Sequence, residues 1–340
     1  MLYSERKQSG TGEKEQRDGQ GMRTAHRRKT GTVIAVIVLL LVVLSSVVLI
    51  AKLSAKPEEA PAGPEDPHKG QVYIDDGFGM VWITPWEGVE VNDLSRTDIS
   101  VSGDFAHYYG SDYETRLGVD VSEHQHTVDW EKIAAAGIDF AMIRIGYRGC
   151  TEGGLYEDPF FRFNMEGARK NGLKIGVYFF SQALNVQEAI EEAEYTLDRL
   201  QGYSIDLPIV YDWEVVENEE NVRTDGMDRS VLTDCAVAYC QTIANAGHDV
   251  CVYFNRHFGY YEYDLSRLND YKFWLALPGD YPDFYYKSDI WQYSFTAEIP
   301  GIEGPTDMNI QFIPLTGGEE RSKVGEGMQT VVTYASSPGT

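Results

Sequence analysis

The stretch LPIVYDWE, residues 207–214, sets five uncharged residues ahead of two acids. Its apolar run is short and continuous rather than alternating, the pattern of a strand covered on both faces in a parallel sheet. Asp212 and Glu214 are two positions apart. On an extended strand they face the same way, roughly 6.6 Å apart along it, with Trp213 turned to the opposite layer. A D-x-E pair on a solvated edge would be unremarkable. At the end of a strand buried on both faces, unpaired charge is costly, and a functional site is the better reading.

The same rhythm extends in both directions. GVDVS (118–122) is a strand candidate, followed by a helix near 129–136 that Gly137 ends; FAMIRIG (140–146) is the second strand. Asp158-Pro159 supplies an N-cap and first-turn proline, and Gly172 closes that helix before LKIGVYFF (173–180). Asn185 with Glu188 resembles a capping box, opening a helix that ends near Gly202, just before LPIVYDWE. Ser230 to Ala246 is helical, Gly247 closes it, and VCVYF (250–254) follows. A helix that ends in Gly and gives way to a buried strand is the sequence form of a βα unit. After residue 270 the spacing shortens: FWLAL (273–277), DIWQY (289–293) and DMNIQF (307–312) leave no room for full helices. Eight strands with about five helices predict an α/β fold, an irregular TIM-like (β/α) barrel, with a doubly wound open sheet as the alternative.

In a parallel βα barrel, chemistry gathers at the C-terminal strand ends. Four acids are expected there: Asp120 on strand one, Asp212 and Glu214 on strand four, and Asp307 on strand eight. Closure of the barrel would make strands one and eight neighbours and bring Asp120 to Asp307. Carboxyl groups sharing a cleft split their pKa values, one protonated beside one ionised, as cleavage of a glycosidic bond requires.

Composition narrows the function classes. The 340 residues carry 53 acidic against 29 basic side chains, a net charge of −24, which excludes general binding to a phosphate backbone. Residues 1–31 hold eight Lys or Arg and four Asp or Glu, so everything after them carries −28. Between these regions Thr32 to Ala51 is uncharged over twenty residues, about 30 Å as a helix and enough to span a bilayer. It is longer than the apolar core of a cleaved signal, and His26, Arg27, Arg28 and Lys29 precede it. The positive-inside rule then predicts a single-pass cell-membrane protein, N-terminus cytoplasmic and body extracytoplasmic. The expected organisation is a basic tail (1–31), a transmembrane helix (32–53), a Pro-rich linker (54–70), a small β-rich appendage (71–115), a catalytic barrel (116–315) and a C-terminal tail (316–340).

Read in order, GVDVSEHQ with VDW (118–130), FAMIRIGY (140–147), GVYFFSQA (176–183), PIVYDWE (208–214), FWLA (273–276), WQYS (291–294) and DMN (307–309) resemble glycoside hydrolase family 25, the Chalaropsis-type lysozymes or N-acetylmuramidases. The resemblance covers about residues 116–313. It implies a flattened (β/α)5β3 barrel that hydrolyses the β-1,4 bond between N-acetylmuramic acid and N-acetylglucosamine in peptidoglycan, with no cofactor. By motif position Glu214 is the implied general acid. Asp212 is the implied nucleophile or the group that orients the substrate's 2-acetamido oxygen for attack, and Asp120 and Asp307 set the charge around the pair. Both routes imply net retention. Many members carry His where this chain has Phe179, which puts the subsite contacts there in question.

Tyr178, Trp291, Tyr293, Arg144 and Asn309 are the candidate substrate contacts, with core packing the competing explanation for each aromatic and a structural ion pair for Arg144. Tyr211 leans to the core. His124 and His126 form an H-x-H that also opens metal sites in other barrels, but two ligands make no site and no metal is expected. Of Cys150, Cys235, Cys240 and Cys251, a Cys240–Cys251 disulfide and four free buried thiols are both open. The competing function is a non-catalytic peptidoglycan-binding or wall-morphogenesis protein on the same barrel, with a metal-dependent hydrolase behind it.

Overall fold

The protein was analysed as a computed structural model, which describes residues 15–54, 66–217 and 219–315. The expected tail 316–340, the first fourteen residues and linker positions 55–65 lie outside the described residues. The chain divides into two compact units, Met1–Lys69 and Gly70–Thr340.

In the first unit a single helix, α1, runs from Glu15 to Ser54. Val33–Ser54 is long and apolar enough to cross a bilayer, with mean hydropathy 3.5. Its hydroxyls are satisfied within the helix, since Ser45 and Ser46 both donate to the Val42 carbonyl.

The second unit opens with two short hairpins, β1 (Val72–Asp75) with β2 (Met80–Ile83) and β3 (Ile99–Ser102) with β4 (Phe105–Tyr108). Between the hairpins, Val91 makes a single isolated bridge to Tyr286. This segment is packed on the barrel: Asn92 Nδ2 donates to the carbonyls of Pro282 and Phe284, and Tyr281 Oη donates to that of Leu94.

The barrel follows: β5 (Tyr113–Val121), α2 (Trp130–Ala135), β6 (Phe140–Arg148), the edge strand β7 (Leu155–Glu157), α3 (Phe161–Lys170), β8 (Lys174–Ser181), α4 (Val186–Arg199), β9 (Ile209–Trp213), α5 (Arg229–Asn245) and β10 (Val250–Asn255). A π-helical turn at Phe258–Glu262 stands where a fifth helix was expected, and β11 (Lys272–Ala276), β12 (Ile290–Ala297) and β13 (Thr306–Pro314) complete it. The pairing order β5-β13-β12-β11-β10-β9-β8-β6 closes through β5 and β6, which excludes the open sheet. Gly137, Gly172, Gly202 and Gly247, each after a helix, share φ of 80–87°, a left-handed turn that a Cβ would strain.

Two features correct the sequence reading. The barrel is not wholly parallel: β13 runs antiparallel to both β12 and β5. Asp307 therefore stands at the start of its strand, not at its end, and this reversal is what sets it directly opposite Asp120. The four cysteines form no disulfide, and Cys150 is half-buried.

Strand alternation divides the core in two. Ile209, Tyr211 and Trp213 pack outward with the helices, whereas Val210 joins Phe140, Met142, Cys251 and Trp274 in a separate interior cluster. Gly118 leaves room for that plug, because a Cβ there would meet the Phe140 ring at 2.3 Å.

Candidate active site

Continuing the inward register of the plug toward the mouth gives the site. Asp120 on β5, Arg144 on β6, Tyr178 and Phe180 on β8, Asp212 and then Glu214 at the end of β9 all line one cavity of about 200 Å³. Tyr253, Trp274, Gln292 and Asp307 complete its wall. The structure thus brings the four predicted acids together.

Asp120 is buried and its Oδ2 accepts two hydrogen bonds, from Asn309 Nδ2 at 2.7 Å and Gln292 Nε2 at 2.8 Å. The amides are themselves fixed by aromatic donors. Trp274 Nε1, which can only donate, takes Asn309 Oδ1 at 2.8 Å, and Tyr253 Oη takes Gln292 Oε1 at 2.8 Å. Each NH2 is left facing Asp120. Burial raises the Asp120 carboxyl to about 6, with the two amide donors and Asp307 opposing that rise. Asp307, half-buried, is pushed up to about 8 by burial first and by the charge of Asp120 second. At neutral pH Asp307 holds a proton and shares it with an ionised Asp120.

Asp212 is buried, and its Oδ1 has no hydrogen-bond partner among the described residues. Burial, then Glu214 and Asp120, hold its carboxyl well above the usual range. Glu214 reaches solvent at the rim, yet the protein packed around its carboxyl raises it to about 7, with Asp120 contributing. A proton-holding carboxyl at the rim beside an ionised group deeper in is the arrangement that acid-assisted bond cleavage needs.

The main chain of Glu214 is held from behind. Gln182, fully buried, donates from Nε2 to the carbonyls of Ser181 and Glu214, and its Oε1 accepts from Thr224 Oγ1 at 2.7 Å. Arg223, paired with Glu188 through two bonds of 2.8 and 2.9 Å, also donates to the Gln182 carbonyl.

The predicted substrate contacts divide. Tyr178 lines the cavity and meets the Trp274 ring edge-on at 6.0 Å. Arg144 lines it too, but its guanidinium is bound to Asp158 at 2.7 Å and Glu123 at 2.8 Å rather than to the acid cluster. Asn309 is fully buried and serves Asp120. Trp291 and Tyr293 are corrected: both face outward. Trp291 donates to the Leu277 carbonyl, and Tyr293 takes the Ala106 N–H and donates to the Asp104 carbonyl, pinning the second hairpin. Gln292 between them faces in, so the amide and not its aromatic neighbours carries the motif WQYS into the site. Phe179 likewise packs outward on Tyr195 and Tyr239, away from the cavity. Tyr253 and Trp274 were missed as site residues, although their parity along buried strands placed them inside. His124 lines the cavity, whereas His126 is exposed, with φ of 51°.

An eight-stranded barrel with carboxyl groups gathered at its mouth has the groups that a glycoside hydrolase needs. The profile of glycosyl hydrolases family 25 matches residues 119–302, more than half the chain, and the chain belongs to that family. Asp307 lies just beyond the match. The autolytic lysozyme of Clostridium acetobutylicum is 28% identical over 194 residues, covering 56% of this chain and 54% of that protein. Lysozyme M1 of Streptomyces globisporus is 28% identical over 212 residues, 56% of this chain and 66% of its own. This chain therefore spans about half to two thirds of those relatives. The crystal structure of the Clostridium perfringens spore cortex lytic enzyme SleM shares the fold, with TM-score 0.50 at 21% identity over 58% of this chain and 67% of that one.

Proposed function

We propose that the protein is a membrane-tethered muramidase that cleaves the β-1,4 bond between N-acetylmuramic acid and N-acetylglucosamine in peptidoglycan, with retention of configuration. The observation that carries the reading is the convergence of Asp120, Asp212, Glu214 and Asp307 on one cavity, with Glu214 raised to about 7 at its rim. Glu214 protonates the leaving oxygen. Asp212, whose Oδ1 is uncommitted, attacks the anomeric carbon or holds the N–H of the 2-acetamido group whose oxygen attacks. Asp120 supplies fixed negative charge for the oxocarbenium-like transition state, and Asp307 keeps the cluster from carrying a further charge. Tyr178 and Arg144 face the sugar. The membrane assignment rests on Val33–Ser54 and on the basic residues ahead of it, which hold the N-terminus in the cytoplasm and the barrel toward the wall.

Full-length protein in detergent, incubated with purified peptidoglycan, releases new reducing ends. Glu214→Gln lowers that rate by about 100-fold or more, the usual weight of general acid catalysis. Activity at the wild-type level in the variant removes Glu214 from the role.

A further inference from the structure

The β1–β2 hairpin presents an exposed aromatic face that the cleavage chemistry does not use. Tyr73 and Trp82 are directly paired across the strands, their ring centroids 4.9 Å apart and 53% and 44% exposed. Met80 lies two positions from Trp82 and is on the same side, and Phe78 stands 90% exposed at the turn. Ile74, one position from Tyr73, is buried on the opposite face, so the register fixes the rings outward. Apolar rings gathered on one exposed face mark a binding surface.

The turn of this hairpin is tied to the segment after β10. The residues flanking Glu214, Trp213 and Val215, line a second cavity of about 240 Å³ together with His257, Phe258 and Glu262 from the turn after β10. From that same turn Tyr261 donates to Asp76 Oδ2 at 2.8 Å, and Arg256 faces Asp75 at 3.8 Å. The hairpin is thus anchored by its turn to the segment that, with the chain neighbours of Glu214, lines the second cavity. The hairpin also lies outside the residues matched by the family profile.

We propose that the β1–β2 hairpin is a glycan-binding platform, on which Tyr73, Trp82 and Phe78 stack against sugar rings of the polymer several residues away from the bond being cleaved. The ligand class is an extended N-acetylated glycan strand: sugars offer apolar C–H faces to aromatic rings, and Asp75 beside them accepts hydroxyl hydrogen bonds. An anionic lipid surface fits less well, because Asp75 and Asp76 bracket the approach to Phe78. The platform rests on the peptidoglycan reading above, but its test does not require cleavage.

Full-length protein carrying Glu214→Gln, in detergent, is titrated onto purified insoluble sacculi and, separately, onto vesicles containing anionic phospholipid. Trp82→Ala is expected to weaken sacculus binding about five- to ten-fold, and Phe78→Ser, at an exposed turn where no packing is lost, to weaken it in the same direction. Tyr109→Ser, at a 70% exposed aromatic near the other hairpin, serves as the control and leaves binding unchanged. Unchanged sacculus binding in both hairpin variants overturns the proposal, as does a loss confined to the vesicles. A chain that binds sacculi through the hairpin but whose wild type releases no reducing ends refutes the muramidase reading and leaves the platform standing.

Discussion

At the scale of single residues, the centre of the site is Asp120 held by two amides, each oriented by an aromatic donor. Hydrogen bonds to a charged group are worth about 1.5–3 kcal/mol. Asn309→Ala should therefore lower kcat/KM by about ten- to a hundredfold, and it should move the acid limb of the pH–rate profile to higher pH, as Asp120 becomes harder to ionise. The wild-type profile follows from the same groups. With Glu214 as the proposed acid, activity falls as pH rises past about 7; on the acid side it falls as Asp120, raised to about 6, and Asp212, held well above the usual carboxylate range, take up protons. Asp307 has the opposite consequence for stability. Its carboxyl holds a proton up to about pH 8, whereas in the unfolded chain it releases it near 4, so the fold loses stability as pH rises between those values. Asp307→Asn should raise the melting temperature by about 2–4 °C at pH 8 and hardly at all at pH 4, as read by a thermal scan at both pH values. The four acids were legible in the sequence because strand-end carboxylates stand out against apolar runs. Of the two amides Asn309 was legible, though as a sugar contact, whereas Gln292 was not, having no charge to mark it and an aromatic on either side.

At the scale of elements, the repeated helix–Gly–strand pattern made the first five strands legible to within a few residues, since a left-handed turn after each helix demands glycine. The direction of β13 was not legible. Nothing local in DMNIQF says whether it runs up or down; that is decided by a connection from β12 too short for a crossover helix. A parallel strand there would have carried Asp307 to the far end of the barrel from Asp120. The hold on the β9 end is also an element-level device, joining the end of β8, α4 at Glu192 and the loop at Thr224 through Gln182. Gln182→Leu leaves the Glu214 carbonyl and the Thr224 hydroxyl without their partner, a cost of about 1–3 kcal/mol. Its denaturation midpoint should fall, and kcat should fall more than KM rises, because the displaced group is Glu214 rather than a sugar contact. A change in KM alone would place Gln182 in substrate binding instead.

At the scale of the whole molecule, the net charge of −24 resolves into a +4 tip and a −28 remainder, with an apolar helix between them. An acidic enzyme gains little from electrostatic attraction to an anionic wall, so under the proposed function a membrane tether would supply its local concentration. The protein should accordingly stay in the membrane pellet through alkaline carbonate extraction, and release into the supernatant would mean that the helix is not retained as a span. The linkage cleaved is read by mass spectrometry of the products from purified peptidoglycan. A muramidase yields disaccharide-peptide fragments ending in N-acetylmuramic acid at the reducing end, strongly reduced with Glu214→Gln. Fragments ending in N-acetylglucosamine, or the same products at undiminished yield from the variant, would contradict the proposed function.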